Sequence, residues 1–346
     1  MRNGRRMAGT ARAWETRRPG WITALATMGA MLVLLSLVTI AAASPAQWTR
    51  EGWTTDFSRM SVEPNEILSG GPPKDGIPSI DDPAFRPVSE ETELVDREPV
   101  VGLEIDGDAR AYPLRILTWH EIVNDTVGGR PVIVTYCPLC NAALVFDRTL
   151  DGEPVEFGTT GKLRKSDLVM YDRRTESWWQ QFTGEAIAGA RLGDRLDLLP
   201  SRLESWGEFK ARHPDGRVLR PPPSVRRDYG RNPYTGYDTA SRPFLYRGDL
   251  PEGIEPMQRV VVVRDAAGEP DVVSLTVLRE KGTLDLDGTT LSWREGQASA
   301  LDTTDIREGR DVGTVVAQRD GVDVPYDVTF AFVAHAFHPE VTIRTE

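Results

Sequence analysis

The sequence predicts an α+β fold, predominantly β, with antiparallel sheets and few short helices. Three observations point there. Short apolar runs alternate with turn dipeptides: Val100-Val-Gly-Leu-Glu-Ile105 precedes Asp106-Gly107, and Val127 precedes Gly128-Gly129. Such punctuation marks strands and hairpins. Helical periodicity is scarce. Finally, one β-rich pattern occurs twice. Val100–Gly107, Tyr112–Leu117 and Asn124–Val134 form a first unit; Val260–Gly268, Val273–Leu278 and Asp285–Trp293 form a weaker echo. The echo has no His or Cys at the matching places, so the chemistry is expected in the first unit.

The elements follow in order. Six arginines within residues 1–20 precede an uncharged, strongly apolar stretch, residues 21–43. Its length suits either a signal peptide or a bilayer span. Arginines stay on the cytoplasmic side, so the rest of the chain is expected to be exported. Cleavage would make it periplasmic or secreted; retention would anchor it to the membrane. Residues 44–99 are rich in Pro, Gly and acidic residues and read as an extended lead-in with little regular structure. Residues 100–346 read as a β-rich exported domain, its first unit about 100–215 and its second about 255–346. Within it, Leu114–Ile122 suits a short helix, and Ser201-Arg-Leu-Glu204 resembles a capping box opening another. Residues 221–251 form a long irregular stretch whose tyrosines favour ordered packing.

The formal net charge is −11, which argues against nucleic-acid binding. Gly158-Thr-Thr-Gly-Lys162 lacks the spacing of a phosphate loop, and no nucleotide cofactor is expected. Protein partners are not readable from the chain.

The only two cysteines stand in Cys137-Pro-Leu-Cys140, between two apolar runs. Strand, tight turn and strand make a metal-binding knuckle, whereas a thioredoxin-like site needs a helix after the motif. One knuckle supplies two thiolates, so the remaining ligands must be His, Met or carboxylate. His120 is the expected third ligand, returned toward the knuckle by the antiparallel hairpin at Gly128-Gly129. Met170, His335 and His338 are weaker candidates. The expectation is a soft metal at Cys137, Cys140 and His120, copper ahead of zinc, with a redox or metal-handling role. Two alternatives stand beside it. A Cys137–Cys140 disulfide would staple a binding or scaffold module. Asp167 or Asp172, with Arg173 and near Trp178, would serve a carboxylate-based hydrolase.

An ordered set of motifs extends beyond the knuckle. It comprises Tyr112-Pro113, Trp119-His-Glu-Ile-Val-Asn-Asp125, Thr135-Tyr-Cys-Pro-Leu-Cys-Asn141, Phe146-Asp-Arg148, Gly161, Ser166-Asp-Leu-Val-Met-Tyr-Asp-Arg173, Thr175-Glu-Ser-Trp178, Gln180 and His213-Pro214. Together these resemble the bacterial and archaeal family called domain of unknown function 3179, from about Val100 to Glu340. The resemblance implies no established activity. The chain departs from the family pattern at His335, where an aromatic residue is expected.

Overall fold

The computed structural model describes residues 44–265 and 268–346. The segment read as a signal or anchor lies outside them. Among the described residues no helix is long and apolar enough to cross a membrane.

The expected β-dominated α+β architecture is observed. The first unit runs β1 (Pro99–Ile105), β2 (Asp108–Pro113), α1 (Leu114–His120), β3 (Ile122–Val127), β4 (Arg130–Cys137) and β5 (Ala142–Asp147). An insertion follows: β6 (Phe157–Arg164), β7 (Asp167–Asp172), β8 (Trp178–Gln180) and β9 (Glu185–Ala188). The unit closes with β10 (Leu198–Leu199), β11 (Arg202–Ser205) and α2 (Trp206–Arg212). The second unit runs β12 (Arg259–Arg264), β13 (Pro270–Ser274), α3 (Leu275–Lys281), β14 (Thr283–Leu286), β15 (Thr289–Arg294), β16 (Thr314–Arg319), β17 (Val322–Asp323), β18 (Tyr326–Phe330) and α4 (Ala331–Phe337).

The two units share one topology. In the first, β11-β1-β2 and β10-β5-β4-β3 are hydrogen-bonded neighbours; in the second, β18-β12-β13 and β17-β16-β15-β14 are. The insertion β6–β9 therefore interrupts only the first unit, between β5 and β10. Alternating valines explain the shared core: Val101, Val134 and Val145 of the first unit pack in one cluster with Val261, Val273 and Val315 of the second.

Two local expectations need correction. The lead-in is packed rather than merely extended. It contains a helix, Pro45–Arg50, and a strand, Ile67–Ser69, that pairs with β6. Trp48 and Trp53 supply the driving burial, each about 5 Å ring to ring from Trp178. The second correction is the helix cap. Arg202–Ser205 is strand, and Ser205, not Ser201, accepts the capping hydrogen bond, from Glu208 N at 3.3 Å. Pairing of these residues with β1 overrides the local capping signal.

Candidate metal centre

The knuckle forms as its flanking residues require. β4 and β5 pair antiparallel up to Cys137 opposite Ala142. Cys140 N donates to Cys137 O and Asn141 N to Pro138 O, closing the turn. Asn141 takes φ 53°, a conformation that asparagine tolerates better than most residues. β18 of the second unit then clamps the turn. Asn141 Nδ2 donates to Val328 O at 2.7 Å, and Thr329 Oγ1 donates to Cys140 O at 2.7 Å.

The β6–β7 hairpin closes over the sulfurs. Arg164 pairs with Asp167, leaving a two-residue loop in which Lys165 (φ 55°) and Ser166 (φ 69°) are both left-handed. Such loops usually carry Asn-Gly, so a Lys-Ser loop is strained. Its result is a closed group of sulfur and oxygen atoms. Ser166 O lies 3.5 Å from Cys140 Sγ and 3.9 Å from Cys137 Sγ. Cys137, Cys140 and Asp167 offer ligand atoms within 4.8 Å of one another, and all three residues are buried. Asp167 Oδ2 accepts from Gln180 Nε2 at 2.6 Å and Phe182 N at 2.9 Å. Its other oxygen, Oδ1, is buried and accepts no N–H or O–H hydrogen bond, and the two thiols stand beside the carboxylate.

Burial dominates the electrostatics. It raises the pKa of Cys137 and lifts that of Cys140 well above the ordinary thiol value. It also pushes Asp167 up to about 6, although hydrogen bonds from Phe182, Gln180 and the Cys140 and Cys137 thiols oppose the shift. Glu121 belongs to the same neighbourhood. Its carbonyl accepts from Tyr136 N, the residue before Cys137. Burial, and then the Asp167 charge, push its carboxyl up to about 8. Three anionic ligands in this environment are stable only around a cation.

A protein-family profile, described as Protein of unknown function (DUF3179), matches residues 74–341. The chain belongs to the DUF3179 family. No curated protein and no solved structure gives a significant match.

In this DUF3179 chain the sequence-derived candidates separate. Cys137 and Cys140 meet as expected, and both are free thiols. His120 does not join them. Its Nδ1 lies 2.7 Å from Pro78 O and its Nε2 2.8 Å from Tyr229 OH, so both nitrogens are engaged elsewhere. The reason is local: His120 ends α1, so the helix, not the strand register, sets its direction. Met170 is fully buried in the same apolar cluster as both cysteines, opposite Trp179. His335 lies on α4, and His338 caps it. Neither belongs to the Cys137–Cys140–Asp167 group.

The hydrolase constellation is dispersed in the DUF3179 fold. Asp167 and Asp172 end opposite tips of β7, roughly 16 Å apart at the rise of an extended strand. Asp172 holds a turn, accepting from Thr175 N at 2.6 Å and Trp179 Nε1 at 3.0 Å. Arg173 pairs with Asp81 of the lead-in at 2.9 Å. Trp178 packs inside an aromatic cluster and offers no exposed stacking face.

Sequence reasoning placed Asp167 in a different role and missed Glu121. The signal for Asp167 was its place in the family motif Ser166–Arg173. The irregular stretch also proved to be a cover. Tyr237 OH donates to Leu139 O at 3.0 Å, and Ser166 Oγ donates to Phe244 O at 2.5 Å.

Proposed function

We propose that Cys137, Cys140 and Asp167 bind one transition-metal ion, with zinc ahead of copper. The observation that carries this reading is the convergence of Asp167 and two thiol sulfurs in one buried group, in which Asp167 Oδ1 accepts no N–H or O–H hydrogen bond. A buried carboxylate oxygen met only by weak thiol donors is poorly satisfied, and a metal ion would satisfy it. The expectation of copper leaned on histidine and methionine. A carboxylate oxygen beside two thiolates is a donor set that suits zinc better than copper(I). Two thiolates and a carboxylate around a divalent ion leave one net negative charge; a monovalent ion would leave two.

Three protein ligands leave a fourth position for water or another ligand, the pattern of a working rather than a closed zinc site. The ion would supply Lewis acidity there. The chain's own residues align the two sulfurs, hold Asp167 through Gln180 and Phe182, and exclude bulk water beneath the 234–246 cover. The reading includes export, with the centre outside the cytoplasm, on the strength of residues 1–43.

A disulfide is the less favourable use of the same thiols, because it would leave Asp167 Oδ1 unsatisfied. Metal analysis of protein expressed in the periplasm tests the reading, wild type against Cys137→Ser and Asp167→Asn. Wild type should carry about one equivalent of metal, and both variants far less. Equal metal content in all three would sink it.

A further inference from the structure

A second feature meets the cover beside the centre: a cavity of roughly 400 Å³ between the β6–β7 hairpin, the lead-in and the cover. That volume suits a small organic ligand. Its wall combines two cations, Lys165 and Arg247, with Asn65 and the apolar Leu68, Leu245 and Tyr246. The one acidic residue of the wall, Glu66, is already paired with Arg164 at 2.8 Å. Arg247 is exposed and makes no hydrogen bond or ion pair with any described residue. Lys165 Nζ donates to Ala336 O at 2.5 Å and lies 5.1 Å from the centre of the Phe337 ring, and still has N–H groups for another acceptor. On a chain of net charge −11, a cavity with two cations and a neutralised carboxylate is a local exception.

Backbone strain concentrates at the same seam. Lys165, Ser166 and Leu245 all have φ between 53° and 69°, and none is glycine. Ser166 Oγ ties the hairpin to Phe244 O, the residue before Leu245. Strain of this kind collects at ligand clamps, where the surrounding contacts maintain it.

We propose that this cavity binds a small organic anion. Its carboxylate or phosphate group lies against Lys165 and Arg247, and its apolar body lies against Leu68, Leu245 and Tyr246. The hairpin that forms the cavity wall is the one that carries Asp167, so the anion binds next to the centre. Its binding does not require metal.

Calorimetry on the full exported domain tests this with benzoate, phenyl phosphate and the neutral benzamide. Wild type and Cys137→Ser should both bind one of the two anions and not benzamide; which anion binds identifies the headgroup. Arg247→Ala replaces an exposed side chain that has no partner among the described residues and should fold normally. It should weaken binding roughly tenfold, the loss of one charged contact. Benzamide binding as tightly as the anions, unchanged affinity in Arg247→Ala, or no anion binding by wild type would each overturn the proposal. Because Cys137→Ser is tested in parallel, failure of metal binding and failure of anion binding are read separately.

Discussion

Glu121 and Gly282 occupy the same place in the two topologically equivalent units. Each follows a seven-residue helix, and each donates its N–H to the carbonyl four residues back, Leu117 O and Leu278 O. Their backbones nearly coincide, at φ 58°, ψ −30° and φ 71°, ψ −39°. Glycine adopts this conformation without steric cost, whereas a glutamate is strained in it. The first unit thus keeps a strained, buried carboxyl beside the centre where the second unit has none.

Glu121→Gly should therefore stabilise the metal-free protein by about 1 kcal/mol, since strain of roughly 1–3 kcal/mol is relieved while some packing is lost. Urea midpoints of the two proteins check this. A glycine variant less stable than wild type would show that the side chain has a packing role larger than its strain.

The same carboxyl makes stability depend on pH. Glu121 rises from 4.5 to about 8 on folding, and Asp167 from 3.8 to about 6. For an acid whose pKa is raised in the folded state, the unfolded chain loses its proton first as pH rises. The stabilising contribution is complete below the unfolded value and is lost as pH climbs through the folded one. Metal-free protein should lose stability from about pH 4 to about pH 8. Glu121→Gln should reduce the upper part of that decline, to which the buried Asp327 carboxyl, also raised by burial, contributes as well; denaturation at pH 5 and pH 9 would measure the change.

Metal binding should show the opposite dependence. Both thiols are protonated in the empty site, so binding releases about two protons at pH 7. Below the Asp167 pKa of about 6 a third proton must leave, so the fall in affinity with acid should steepen there. Competition titrations with a chelator across pH give the slope. In Asp167→Asn the slope should stay at about two throughout.

His120→Asn separates the sequence expectation from the structure. It removes the hydrogen bond to Tyr229 and disturbs that to Pro78, costing about 1–2 kcal/mol. Metal content should be unchanged. Loss of metal from a folded His120→Asn protein would restore histidine to the ligand set.

Tyr237→Phe addresses the cover. It deletes the hydroxyl that donates to Leu139 O and accepts from Phe244 N. Stability should fall by about 1 kcal/mol. Metal extraction by a chelator should accelerate, because the cover opens more often. An unchanged extraction rate would place the entry route elsewhere.

Much of the fold was legible because its determinants are local. The runs beside Cys137 and Cys140 alternate as strands, so the knuckle could be read directly, and the matching patterns in the two units appear as matching topologies. Helix α1 was also visible, but not the consequence of His120 being its last residue. Pairing with β1 decided the start of α2 against a plausible capping sequence. The lead-in looked unstructured because Trp48 packs on Trp178, and Trp53 on Trp178 and Tyr171, residues far along the chain.

By itself the sequence determined where two thiols would sit on one turn and that too few cysteines exist to complete a metal site. Only the tertiary structure decided which side chain joins the two thiols. Asp167 reaches the sulfurs because the strained Lys165-Ser166 loop folds the inserted sheet over the knuckle, while β18 holds the turn from the far end of the chain. Strand period and turn chemistry act over a few residues and leave a trace in the sequence. The approach of Asp167 to Cys137 and Cys140 depends on packing between separate sheets, which leaves no such trace.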